Sequence, residues 1–204
     1  MKNVDPNPGH GYLKLPNLPR HEGLGIEFAT NKEACKNFTN VLWPKGNDRE
    51  IAHTFANIVA ELQQLVMRML FESYGIDEKH YESQRRSTTY LLRFLNYRKC
   101  HKTEKNTAAL SGHTDKTLVL ILYSDEVKGL ELRTKDGEWM HFQPSPSSNL
   151  VIAGDVGMAP KELVDDEYPL KYKPFDHQGL LQFFQSSNVP NKRDSDCIKA
   201  YCCV

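Results

Sequence analysis

The 204-residue chain has no net charge, with 26 basic side chains set against 26 acidic ones and no block of either sign. Without a long-range field there is nothing to draw in a polyanion. Arg85-Arg86 and Lys192-Arg193 are too short to form a basic patch, so nucleic acid is not an expected partner. The chain has no apolar run of the ~20 residues that cross a bilayer. None follows Met1-Lys2-Asn3-Val4-Asp5-Pro6 as a secretory leader would require, so no membrane contact and a cytoplasmic location are expected. The five cysteines are an odd number and contain no C-x-x-C spacing, which argues against a disulfide framework and a structural zinc site. Cys197, Cys202 and Cys203 are expected to be free thiols on a loose tail, and Tyr201 stands where a prenylation motif would need cysteine. Asn37-Phe38-Thr39 fits a glycosylation acceptor, but without an export route the pattern has no enzyme to meet it. Internal repeats and low-complexity segments are missing as well.

What is present is an ordinary globular composition, 39% hydrophobic and 25% charged. At about 100–200 residues per domain, the length predicts a single domain able to enclose a core. Residues 1–46 carry many of the prolines and glycines, from Asp5-Pro6 to Gly23-Leu24-Gly25, and are expected to form a layer of loop rather than regular structure. From Asp48 the pattern becomes helical. Ile51, Phe55, Ile58, Val59, Leu62, Leu65, Val66, Met69 and Leu70 step by three and four, with Asn47 or Asp48 to cap and Gly75 to stop the helix. Met67, Met69 and Phe71 are expected to be core packing.

Thr88 to Tyr97 is rich in β-branched and aromatic residues and reads as a strand. Leu118 to Tyr123, Leu130 to Arg133, Trp139 to Phe142 and Asn149 to Ala153 read as further short strands, with Asp136-Gly137 supplying a left-handed hairpin turn. Such a run of short antiparallel strands signals a β-sandwich or jelly roll, although a jelly roll uses about eight strands and this chain offers fewer. A sheet cut short leaves an edge open to pairing with other chains. Asp176 to Gln185 is expected to be a short helix, and the segment after Ser186 a polar tail.

The chemistry concentrates in Ser111-Gly112-His113-Thr114-Asp115. In extended backbone, residues two apart share a face, so His113 and Asp115 project together as two metal ligands. Two histidines and a carboxylate on three corners of an octahedron form the facial triad of non-haem Fe(II) oxygenases. A bare H-x-D arises often by chance, and the alternative is a local hydrogen-bonded pair.

The order His113-Thr114-Asp115-Lys116, Gly129-Leu130-Glu131, Asp136-Gly137-Glu138-Trp139, Pro144-Ser145-Pro146-Ser147 and Gly154-Asp155 resembles the plant 2-oxoglutarate- and Fe(II)-dependent dioxygenases. Within them it is similar to the AOP-type subgroup that modifies glucosinolate side chains in plant secondary metabolism. Pro169-Leu170-Lys171-Tyr172-Lys173-Pro174-Phe175 carries the same resemblance, which covers roughly residues 10–185. It implies that His113 and Asp115 are iron ligands and that Tyr97 touches the 2-oxoglutarate co-substrate, while Leu95 stands where many relatives have asparagine. In that family the matching Gly-Asp leads to a second histidine ligand and then to an Arg-x-Ser pair that grips the co-substrate. Here Gly157-Met158-Ala159-Pro160 passes directly into Lys161-Glu162-Leu163-Val164-Asp165. A block holding a ligand, the co-substrate arginine and several strands is missing, and so is the amino-terminal part of the family's sheet.

His141, His177 and the Arg193-Asp194-Ser195 triplet are the available substitutes, with His141 read as a strand residue and His177 as a helix-end residue. The expectation is therefore a mixed α and β protein with a partial double-stranded β-helix core. Residues 1–46 would be an N-terminal remnant, 47–87 helical support, 88–160 the core, and 161–204 a terminal helix and tail. It would be a member of the oxygenase family, shortened and inactive as given, with no catalytic residue assigned and with binding of Fe(II) and 2-oxoglutarate in doubt. The alternatives are an active dioxygenase with a substitute third ligand acting on a small organic molecule, and a non-catalytic protein that pairs through an exposed sheet edge.

Overall fold

The computed structural model describes residues 11–14, 18–45, 50–99, 109–110, 112–124, 128–156, 164–167, 169, 175–185 and 196–202. Its contacts divide the chain into two compact units, one formed by Met1–His113 with Ala159–Val204 and the other by Thr114–Met158.

The first unit is built on a three-stranded antiparallel sheet of β1 (Gly11–Leu13), β2 (His21–Glu27) and β3 (Leu91–Tyr97), with β2 in the centre. The β2–β3 ladder runs unbroken from His21 opposite Tyr97 to Glu27 opposite Leu91. Alternation along β2 sends Leu24 and Ile26 to one face, where they meet Leu92 of β3. Ile26 is fully buried in a cluster with Ala29, Cys35, Phe38 and Ala56. Cys35 and Phe38 belong to α1 (Lys32–Leu42) and Ala56 to α2 (Glu50–Ser73), so both helices lie on this face.

The expectation that the opening residues are a layer of loop is thus corrected. Gly23 and Gly25 occupy β2 itself, and two flanking ladders supply the order that glycine does not. A further signal was available, because Asn31 followed by Ala34, Cys35, Phe38 and Leu42 has the spacing of a capped amphipathic helix. The Asn31 side chain accepts from the backbone N–H of Glu33 at 2.9 Å and of Ala34 at 3.2 Å.

Helix α2 forms where its periodicity predicts, but its buried side differs from expectation. The residues facing the core are Ala56, Ala60, Gln63 and Met67, whereas Ile51, Phe55, Ile58, Leu65, Met69 and Leu70 remain exposed, so Met69 is not core packing. Gln63 is satisfied in its buried position because Tyr90 donates its hydroxyl to Gln63 Oε1 at 3.2 Å. The helix ends as the glycine predicts. Gly75 adopts a φ of 66°, Ile76 N–H donates to the Phe71 carbonyl at 2.9 Å, and Gly75 N–H donates to Glu72 at 3.0 Å. Asp77 then caps α3 (Glu78–Ser87), whose Tyr81 ring meets Phe71 edge-on.

Two further helices, α4 (His177–Gln185) and α5 (Asp196–Cys202), pack together and bury Leu180, Ile198 and Cys202. The loose tail is corrected at α5: Cys202 is a free thiol, but a buried one on a helix, because its side chain and that of Ile198 form an apolar face. Cys203, the residues 170–174, the junction at 157–163 and Arg193-Asp194-Ser195 lie outside the described residues.

The second unit contains two antiparallel pairs, β4 (Val119–Leu122) with β7 (Leu150–Ala153) and β5 (Glu131–Arg133) with β6 (Trp139–His141). The β5–β6 hairpin turns at Asp136-Gly137, where Gly137 has a φ of 90° and donates its N–H to Thr134 at 3.0 Å.

The cap on α1 gives a direct test. Replacing Asn31 with alanine leaves two helix N–H groups without their acceptor and should cost about 1 kcal/mol, measured by denaturant unfolding.

Candidate functional site

Within the second unit, the stretch from Thr114 to Lys116 is fixed by one carboxylate. Thr114 donates its hydroxyl to Asp155 Oδ2 at 2.5 Å, and Lys116 Nζ reaches the same oxygen at 2.5 Å and Thr114 Oγ1 at 2.9 Å. The Lys116–Asp155 ion pair is largely withdrawn from water, the side chains being 10% and 16% exposed. The backbone is tied as well. Asp155 N–H donates to the Asp115 carbonyl at 2.9 Å, and Gly154 N–H to Leu118 at 3.0 Å. A Cβ on Gly154 would overlap the Thr117 carbonyl and stand 2.9 Å from the Asp115 carbonyl oxygen. The Gly154-Asp155 dipeptide therefore has a physical reason at each position: glycine admits the neighbouring backbone, and aspartate holds the residues on either side of Asp115.

His113 is exposed and is the last residue of the first unit before the boundary, whereas Asp115 is half-buried and belongs to the second. Tyr97 is the last residue of β3. Sequence reasoning passed over its neighbour, His21, because it was read as part of a loop. His21 stands opposite Tyr97 in the ladder, with ring centroids 5.2 Å apart at 55°. It is only 6% exposed, and its Nδ1 has neither solvent contact nor a hydrogen-bond partner among the described residues. Burial lowers its pKa, and the charge of Arg93 lowers it further. Leu95, in the position of the family's asparagine, lies on the same face, its Cδ2 3.3 Å from where a Cβ on Gly23 would be.

Of the substitute ligands, His141 faces Glu131 across the β5–β6 ladder, Nδ1 to Oε1 3.3 Å, and His177 is exposed at the start of α4. Among the described residues no three His, Cys, Asp or Glu side chains come together as a metal site needs. One imidazole and one carboxylate fall short of a facial triad, so the described donors do not by themselves fit a resident iron.

A family model described as the 2OG-Fe(II) oxygenase superfamily matches residues 87–182, a span that contains Tyr97, His113 and Asp115. The chain is 34% identical to the Arabidopsis thaliana protein named "Probable 2-oxoglutarate-dependent dioxygenase AOP1.2", over 91% of this chain and 71% of that one. This chain belongs to the 2OG-Fe(II) oxygenase superfamily. Another Arabidopsis thaliana member, named "Probable inactive 2-oxoglutarate-dependent dioxygenase AOP2", is 26% identical over 100% of this chain and 81% of its own length. The fold is that of solved superfamily members. A rice dioxygenase for auxin oxidation superposes with a TM-score of 0.75 at 22% identity, covering 97% of this chain and 77% of its own. The Arabidopsis thaliana enzyme AtDAO1, solved as a 2-oxoglutarate binary complex, gives 0.72 at 24% identity over 82% and 77%. Within the superfamily this chain is short: the match to AOP1.2 extends over 231 positions, more than the 204 residues of the whole chain. The relative therefore carries residues inside the matched region that have no counterpart here.

Two outcomes follow from this geometry. Lys116→Met should destabilise the second unit by about 3 kcal/mol, because it strands a mostly buried carboxylate, and calorimetry on the purified chain would read the loss. Stability should also fall with acidification. The folded chain resists protonation of His21, whereas the unfolded chain takes the proton near the ordinary value of 6.5. The neutral imidazole carries no penalty above that pH, and stability erodes as pH drops below it. Denaturation midpoints measured from pH 8 to pH 5 should show this slope in the wild type and a shallower one in His21→Phe.

Proposed function

We propose that this chain is a shortened oxygenase of the superfamily, built on a partial double-stranded β-helix, that has lost most or all of its turnover. The observation that carries this reading is the alignment with AOP1.2, which is longer than the chain it aligns and so requires an internal gap. The sequence places such a gap after Gly154-Asp155, where relatives by resemblance carry the second histidine ligand and the Arg-x-Ser pair. What remains is a partial set: His113 and Asp115 toward Fe(II), and Tyr97 toward 2-oxoglutarate. Two protein ligands leave the other positions of an octahedral ion to water, and a metal held so loosely exchanges with solvent. In an intact relative the metal and co-substrate supply the oxidising chemistry, and the protein orients a small organic substrate and excludes water. The AOP-type relatives support a plant secondary metabolite, of the glucosinolate kind, as the ancestral substrate class. The zero net charge supports a protein without nucleic-acid partners, and the odd number of cysteines, five, supports a reducing compartment such as the cytoplasm. The whole chain is read as one incomplete domain.

A second reading, a non-catalytic protein that pairs with other chains, is favoured by the β4–β7 and β5–β6 ladders. Each is two-stranded among the described residues, so each strand presents an unpaired edge.

An anaerobic titration with Fe(II) and 2-oxoglutarate separates these cases from a working oxygenase. The folded chain should give no visible charge-transfer band. A saturable band that disappears in His113→Ala would overturn the inactive reading and identify a rebuilt site with an unexpected third ligand. A single sharp oligomer peak on gel filtration would favour the pairing reading.

A further inference from the structure

Helix α2 carries a second apolar stripe besides the one it buries. Ile51, Phe55, Ile58, Leu62, Leu65 and Met69 recur at alternating steps of four and three residues, the spacing with which one helix packs along another. At about 100° per residue, this seam points about 150° away from the buried line of Ala56, Ala60, Gln63 and Met67. The seam is open. Ile51, Ile58, Leu65 and Met69 are each 60% exposed or more, Phe55 is exposed and Leu62 is half-buried. A helix that is apolar on two opposite sides has the pattern of one covered on both.

The residues flanking the seam identify what fits it. On one flank lie Val59 and Val66, on the other Glu61 and Arg68. Glu61 is exposed and has no ion pair among the described residues. Arg68 holds Glu72 through Nε at 2.9 Å and is half-exposed, and its guanidinium has further N–H donors for a second carboxylate. An antiparallel second copy of α2 can be laid on the seam with Ile58 opposite the partner's Met69 and Leu62 opposite the partner's Leu65. Two-fold symmetry doubles these to four layers. The same register sets Glu61 against the partner's Arg68 twice on one flank, and Val59 against the partner's Val66 twice on the other. Sliding by one heptad to pair all six seam residues would set Glu61 against its own copy. A parallel pair would set Glu61 against valine. Charge complementarity thus selects one arrangement, in which the chain is its own complement.

We infer that α2 docks antiparallel against α2 of a second copy of this chain, through Ile58, Leu62, Leu65 and Met69. The stretch from Ile58 to Met69 runs about 17 Å along the helix. That places the contact at the low end of interface sizes, so the dimer dissociates on dilution. The inference goes beyond both functional readings, because it uses a helix face rather than a strand edge and holds whether or not the chain turns over.

The test is sedimentation velocity on the full chain over a wide range of concentration, which should show a reversible equilibrium between monomer and dimer. Leu65→Gln should weaken the dimer about a hundredfold, because two leucines leave each interface. Leu65 is exposed, so helix content measured by circular dichroism should not change in this variant. Glu61→Arg and Arg68→Glu should each weaken association about tenfold by setting like charges opposite each other. An equimolar mixture of these two variants should associate as the wild type does, and so should the chain carrying both changes. A folded wild type that stays monomeric throughout would overturn the inference. So would charge variants that associate no better mixed than apart. A dimer that tolerates Leu65→Gln would also overturn it and would move the interface to the strand edges.

Discussion

The first unit depends on the register between β2 and β3. Pairing His21 with Tyr97 fixes every later rung, so Leu24 and Ile26 fall on the helix side and the glycines on the other. A slip of one residue would exchange these faces, taking Ile26 out of its cluster and turning His21 toward α1 and α2. The fully buried Ile26, packed with Cys35, Phe38 and Ala56, makes such a slip costly. The same register that builds the core therefore also brings His21 beside Tyr97.

In the second unit, one carboxylate has the corresponding role. Asp155 receives Thr114 and Lys116 from either side of Asp115, and its own N–H holds the Asp115 carbonyl. A segment without regular strand structure is thereby given a defined shape, at the expense of burying an ion pair. The contacts that shape Thr114-Asp115-Lys116 all lie between residues 114 and 156, so this stretch keeps its form through partners within its own unit.

Much of this was legible in the sequence, and the exceptions have physical causes. The long helix, its glycine stop, the Asp136-Gly137 turn and the strands from Leu91 onward followed from period, capping and turn chemistry. The opening sheet did not, because glycine in β2 erases the alternation that marks a strand and only the neighbouring ladders reveal it. The burial of α2 was misread because the largest apolar residues were assumed to face inward, when the side it buries carries Ala56, Ala60, Gln63 and Met67. His113, Asp115 and Tyr97 were named as candidates by motif and resemblance. His21 was not, since a lone histidine between prolines and glycines carries no pattern, and its burial arises from folding alone.

The thiol of Cys35 offers a view of the first unit that the second cannot confuse. It is fully buried, it donates to the Ala29 carbonyl at 3.1 Å, and burial pushes its pKa up. No cysteine lies between residues 114 and 158. Alkylation at this sulfur must wait for α1 to lift away from the sheet, so its labelling rate is a clock for that opening event and reports how firmly the Ile26 core is closed.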